Sequence, residues 1–274
     1  MSRNFELLRR VERERQHRTA SELPMPSELR SGSPVYESLL NPEIARQQSE
    51  RTAALWEGEI VQGFSAPVSK SARERIASLV KGLFLLPAST VRSVAVGATE
   101  PSTGAAAITL GIAECLANLS SGRVCVLDVD FDHPKLQAHF RPPTPYGLGD
   151  VLRGKAQLSD ALTRVASNLW ILPAGTMDGP AVNHSGQNLP DLLTALRRET
   201  DYLLLQSPPL SDTGAAIASG KMTDGMIVVL EAHRTRRDMA QTLKSKLDAA
   251  NVRVLGAIFN NRTYPIPEKL YSKL

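Results

Sequence analysis

Residues Val94–Ala117 read VAVGATEPSTGAAAITLGIAECLA: an apolar run, a turn-rich loop holding Pro101 and Gly104, and a helical stretch starting near Ala105. Strand, loop and helix in that order are the layout of a phosphate-binding loop, in which N–H groups at the helix start face an anion. The same alternation continues through the chain. Short β-branched or Leu-rich runs occur at Val91 to Val96, Val124 to Leu127, Leu169 to Leu172, Tyr202 to Leu205, Met226 to Leu230 and Val252 to Phe259. Helical patterns fall between them at Ala105 to Leu119, Leu189 to Arg198 and Thr235 to Ala250. Repeated strand–helix–strand order predicts an α/β fold, a mostly parallel sheet of about six or seven strands with helices on both faces. In such sheets ligands bind beyond the carboxyl ends of the strands, so the loops there are where chemistry is expected.

Upstream, NFELLRRVERERQHR places Phe5, Leu8 and Val11 at helical spacing, which predicts a short amphipathic helix over residues 1–18. Its apolar stripe suits docking on a partner or on the domain, and its Arg residues suit an anionic membrane surface. A solvated, fraying helix is the simpler alternative, because isolated helices this short are marginal in water. Residues 19–70 then read as a flexible linker, with Pro24, Pro26, Gly32 and Pro34 breaking any period. From Ser71 the helical pattern resumes through Ile76, Leu79, Val80, Leu83 and Phe84, which places the folded domain over residues 71–274.

Composition narrows the class. With 32 Lys and Arg against 28 Asp and Glu in 274 residues, the formal charge is only +4, and nothing at this level argues for nucleic acid as a partner. Glu231 to Leu274 holds nine Arg or Lys against four carboxylates, so the excess gathers there, where an acidic partner could use it. Cys115 and Cys125 are the only cysteines, which fits a reducing compartment. No apolar stretch approaches the roughly 18 residues of a membrane span and no signal peptide is visible, so a cytoplasmic location is expected.

Aligned on Pro101 and Gly104, the first loop resembles that of the tyrosine autokinases of bacterial capsule and exopolysaccharide systems. These are themselves similar to the MinD and ParA class of P-loop ATPases, where the stretch reads roughly S-x-x-P-G-E-G-K-S/T. Here Ser102, Thr103, Gly104, Ala105 and Ala106 follow the proline, with Ala105 in place of Lys and Ala106 in place of the hydroxyl residue. That Lys neutralises the outer phosphates and the hydroxyl holds Mg²⁺. At about 1.5–3 kcal/mol per charge-assisted contact, losing both weakens phosphate and metal binding by about 10²- to 10⁴-fold. Glu100 adds negative charge nearby.

Two further loops continue the resemblance. VCVLDVDFDHPKLQAHF is similar to the family's D-x-D-x-R motif, with Asp128 and Asp130 on its aspartates and Asp132 at the Arg position. The resemblance gives Asp128 and Asp130 a part in holding Mg²⁺ and serving the phosphoryl acceptor; alternatively they cap the helix expected near Pro134. His133 and His139 flank that start and are read as surface residues. YLLLQSPPL is similar to a third motif, D-x-x-P, but Gln206 stands where the Asp belongs, and a neutral amide cannot offset a cation. YGLGDVLRGKAQLSDAL, NLWILPAG and the final GAIFN also match family stretches. By resemblance Asn260 contacts the adenine base; an Asn ending a strand is also a turn former. The similarity spans Ser71 to Asn260, about two-thirds of the chain.

Active members end in a tyrosine cluster, whereas this chain ends NRTYPIPEKLYSKL, leaving Tyr264 and Tyr271 as phosphoacceptor candidates or as residues packed on the domain. The resemblance implies a P-loop NTPase-like domain of MinD/ParA type with a damaged site. The first functional expectation is a non-catalytic, pseudokinase-like regulatory or scaffold protein of capsule or exopolysaccharide biosynthesis and export. It would need no cofactor and would work beside an inner-membrane polysaccharide chain-length (co-polymerase) protein, recruited to the inner face of the cell membrane. The second is an active tyrosine autokinase using ATP and Mg through Gly104, Ala105, Ala106, Asp128, Asp130 and Asn260. A ParA-like positioning ATPase is the third. A homo-oligomer is compatible with all of them.

Overall fold

Ser69 starts the first helix by accepting a hydrogen bond from the Ala72 amide at 3.2 Å, and Ile76, Val80 and Phe84 then recur at helical spacing and are buried. This helix, α1 (Lys70–Phe84), leads into β1 (Ser93–Ala98), α2 (Ala105–Leu119) and β2 (Val124–Asp128). Two short helices follow, α3 (Leu148–Leu152) and α4 (Leu158–Ala161), then β3 (Thr163–Ala166) and β4 (Leu169–Leu172). The chain continues through α5 (Leu189–Glu199), β5 (Tyr202–Gln206), α6 (Thr213–Lys221), β6 (Met226–Glu231), α7 (Arg237–Ala249) and β7 (Val254–Asn260). The computed structural model describes residues 55–101, 104–176 and 189–262. The helix expected over residues 1–18 and the tail with Tyr264 and Tyr271 lie outside them.

The strands form one seven-stranded sheet in the order β3-β4-β2-β5-β1-β6-β7. Every neighbouring pair is parallel except β3 and β4. The expected mostly parallel sheet is therefore present. β3 was not anticipated: it is four residues long, half-buried, and doubles back into β4 through a turn at Ser167 and Asn168.

Successive side chains of a strand point to opposite faces, and the central strands show it directly. Val94 and Val96 pack with α1 and α2, while Ala95 packs on the other face; Leu204 joins the first layer, and Leu203 and Leu205 the second with α5 and α7. Burial on both faces explains why these strands read as continuous apolar runs rather than alternating ones. An Arg73–Glu114 ion pair ties α1 to α2.

The linker expected over 19–70 is too long at its far end. Residues 55–69 belong to the folded unit, which begins at Leu55. Trp56 is 5% exposed, its ring 5.1 Å from that of Trp170 in an edge arrangement, with the Arg123 guanidinium 4.7 Å above it. The Val61 amide also donates to the Arg164 carbonyl at 2.9 Å. Trp56 stands between the short apolar run at residues 53–55 and the charged stretch at residues 57–59, too little to set a period, so local pattern could not reveal this packing. Among the described residues no helix is long and apolar enough to cross a membrane.

Candidate functional site

The carboxyl ends of β1, β2 and β5 converge on the start of α2, and the side chains there answer the sequence reading one by one. Gly104 caps α2 with φ 76° and ψ 21°, left-handed backbone that glycine adopts without steric cost. A Cβ at this position would lie 2.7 Å from Asn260 Nδ2, so the end of β7 closes directly onto the loop. Ala105 and Ala106 open the helix 6% and 3% exposed, with their methyls in the core layer that holds Ala98 and Ile108. They offer an anion nothing beyond backbone N–H. Ser102 and Thr103 lie outside the described residues.

Asp128 is fully buried and engaged with its own loop. Its carboxylate accepts from the amides of Asp130, Lys135 and Leu136 at 3.1, 3.0 and 3.1 Å, which closes the 3₁₀ turn Leu136–His139. Burial outweighs these three bonds and pushes its pKa up to about 7. Asp130 accepts from the His133 amide at 3.0 Å, and burial raises its pKa too, opposed by that bond and by the charges of His133 and Lys135. Asp132 and His133 are exposed, whereas His139 is partly buried and its pKa is lowered by that burial. Among the described residues no group of three or more His, Cys, Asp or Glu is placed to hold a metal ion.

Gln206 ends β5 opposite Asp128 in β2 and Val96 in β1. It is 5% exposed; its Oε1 accepts from the Thr109 hydroxyl at 2.7 Å, and its Nε2 donates to the Ser207 carbonyl at 3.2 Å. The Thr109 oxygen also lies 2.9 Å from the Ala105 carbonyl, joining the end of β5 to the first turn of α2.

Two features escaped the sequence reading. Lys135, directly after Pro134, lines a void shared with Ala105, Ala106, Asp130 and Gln206. The void holds about 10 Å³, room for one water molecule. Beside it opens a cleft of about 590 Å³ between the N-terminal ends of α1 and α2 and the end of β7, with Gly104 and Asn260 on its wall.

Similarity to known proteins matches this geometry. No protein-family model matches the chain. It is 25% identical over 176 residues to the tyrosine-protein kinase YwqD of Bacillus subtilis (strain 168), covering 63% of this chain and 73% of that one. With the tyrosine-protein kinase CpsD of Streptococcus pneumoniae it shares 25% over 174 residues, covering 62% and 76%. The chain is a relative of the bacterial tyrosine-protein kinases. It also shares 27% over 183 residues with the succinoglycan biosynthesis transport protein ExoP of Rhizobium meliloti (strain 1021), covering 64% of this chain and 23% of ExoP. Among solved structures, the chimerical protein CapA2B2 superposes with a TM-score of 0.65 at 19% identity, over 78% of this chain and 99% of that one. The septum site-determining protein MinD from Pyrococcus horikoshii OT3, solved with Mg-ADP, gives 0.53 at 22% identity over 66% and 76%. At these identities the superpositions establish the P-loop NTPase-like fold of MinD type.

That fold implies Mg·ATP, and the side chains of this kinase relative do not fit it. Methyls stand at Ala105 and Ala106, the Gln206 amide is engaged by Thr109, and the Asp128 carboxylate is taken by three backbone amides.

Proposed function

We propose that this relative of the bacterial tyrosine kinases is a non-catalytic regulatory or scaffold protein of capsule or exopolysaccharide biosynthesis and export. It acts in the cytoplasm beside a membrane-bound polysaccharide chain-length protein, with the segment 1–18 as a means of recruitment. The observation that carries this reading is the buried Thr109–Gln206 pair beside Ala105 and Ala106. A neutral, hydrogen-bonded amide occupies the strand end where a carboxylate would orient Mg²⁺, and no side-chain cation or hydroxyl opens α2. The polysaccharide context is supported by the name of ExoP.

Calorimetric titration of the purified chain with Mg·ATP at micromolar concentration tests it. No saturable binding is expected, and a micromolar Kd that vanishes with EDTA would overturn the reading. Ala105→Lys combined with Ala106→Thr and Gln206→Asp should restore measurable affinity.

One observation favours the alternative of an active tyrosine autokinase: Lys135 lines the void beside Ala105, Ala106 and Asp130, and its charge bears on the Asp130 carboxylate. Phosphorylation of Tyr264 or Tyr271 in purified protein, lost in Lys135→Ala, would support it. ATP turnover stimulated by a partner would instead favour a ParA-like ATPase.

A further inference from the structure

We propose that the outer edge of β7 is a pairing surface for β7 of a second copy of this chain, joined antiparallel so that two seven-stranded sheets become one. The proposal goes beyond the non-catalytic reading and is independent of it, since Mg·ATP would neither supply nor remove a group on that edge.

The fold covers one edge of its sheet and leaves the other open. At the β3 edge the Val61 amide donates to the Arg164 carbonyl at 2.9 Å, and the Arg164 guanidinium donates to the Gly58 carbonyl at 3.3 Å, so residues 58–61 run along that strand. At the other end of the strand order β7 pairs, among the described residues, with β6 alone. Open edges are usually guarded by Lys, Pro or another charged side chain. Val254–Asn260 reads VLGAIFN and holds none of these. Its irregularity, a register shift at Leu255, lies near its start and leaves residues 256–260 in regular pairing.

Backbone direction selects which groups the edge offers. The Asn260 carbonyl accepts from the Ala232 amide, just beyond β6, at 2.9 Å, which turns Asn260 inward. By alternation along the strand Ile258 also bonds toward β6, and the amides and carbonyls of Ala257 and Phe259 face outward. Ala257 and Phe259 are likewise the exposed residues of the strand, Phe259 at 66%. Backbone bonding capacity and uncovered side chains therefore coincide.

This stretch suits a copy of itself. Antiparallel pairing about Ile258 sets Ala257 of each copy opposite Phe259 of the other, where both residues of each pair exchange N–H···O bonds and the ring covers a methyl group instead of facing water. Ile258 meets Ile258 on the other face, and Gly256 meets Asn260. A Cβ at Gly256 would find nothing within 4 Å, so the approach there is open. An uncharged strand selects no acidic or basic partner, whereas a large residue opposite a small one and a residue opposite itself are what a two-fold axis requires.

Sedimentation velocity on the full chain from about 1 to 200 µM tests the proposal, because an interface this small should associate weakly, with a Kd of about 10 µM or above. The dimer should be the largest species, since pairing uses up the open edge of each copy. Ala257→Pro removes an outward N–H while sparing the ladder to β6, and Phe259→Lys adds a charge to the edge; each should raise the Kd by about tenfold or more. Ile258→Cys places two thiols across a pair whose Cα atoms lie about 4.5 Å apart, so mild oxidation should link the copies, while wild type and Phe259→Cys stay unlinked. A chain that stays monomeric throughout the series overturns the proposal, whether its own residues 263–274 or nothing occupies the edge. So do association untouched by both Ala257→Pro and Phe259→Lys, species larger than a dimer, and Phe259→Cys that cross-links as readily as Ile258→Cys.

Discussion

Thr109 on α2 donates its hydroxyl hydrogen to the Gln206 amide oxygen at the end of β5, 2.7 Å away and out of contact with water. Gln206 is therefore more than a missing carboxylate, because its amide has a structural partner of its own. Thr109→Val leaves that buried oxygen without its donor, which should cost about 1–3 kcal/mol in urea unfolding. Adding Gln206→Leu should recover part of the loss, giving a coupling of about 0.5 kcal/mol or more. Additive costs for the two changes would show that the contact contributes nothing to stability.

Asp128 should make the fold more stable in mild acid than at neutral pH. Burial raises its folded pKa to about 7 from an ordinary 3.8, so between those values the native state keeps a proton that the unfolded chain has released. Its contribution is full below about pH 4 and is lost as pH rises through about 7. Asp130 shifts in the same direction, and the lowered pKa of His139 opposes both. The stability difference between wild type and Asp128→Asn isolates Asp128. It should fall across this window and then level off; parallel curves would contradict the assignment.

At Gly104 two penalties should separate. Gly104→Ala places a side chain at φ 76°, worth about 1–2 kcal/mol, and drives its Cβ toward Asn260 Nδ2. In an Asn260→Ala background the steric part should vanish and only the backbone part remain. Equal losses in both backgrounds, measured by thermal unfolding, would mean that Asn260 moves aside freely.

Trp56→Ala tests where the domain begins. Truncating this buried ring, which packs on Trp170 under the Arg123 guanidinium, should cost about 3–5 kcal/mol and lower the urea midpoint with the m-value unchanged. A cost within about 0.5 kcal/mol would return residues 55–69 to the linker.

Helix α2 was legible from both ends, Ala105 and Leu119, and β4 from Leu169 to Leu172, because an apolar period records local geometry within one element. Elements without such a period were missed. Helix α6 reads TGAAIASGK, where small residues are set by a neighbour: Gly220 leaves room for Val252, against which any Cβ would clash. β3 alternates in burial but, at four residues, is too short for the alternation to register as a pattern.

The site divides along the same line. The sequence by itself determined the fold class and which groups are missing at Ala105, Ala106 and Gln206, since residue identity is fixed at each position. Only the tertiary structure decided what replaced them. Thr109 meets Gln206 across 97 positions, the Asp128 carboxylate turns onto its own loop, Lys135 reaches the Ala105 void, and β7 brings Asn260 to Gly104. Partners chosen by the order of strands leave no local period, and hydrogen bonds between distant residues exist only once the sheet has placed them.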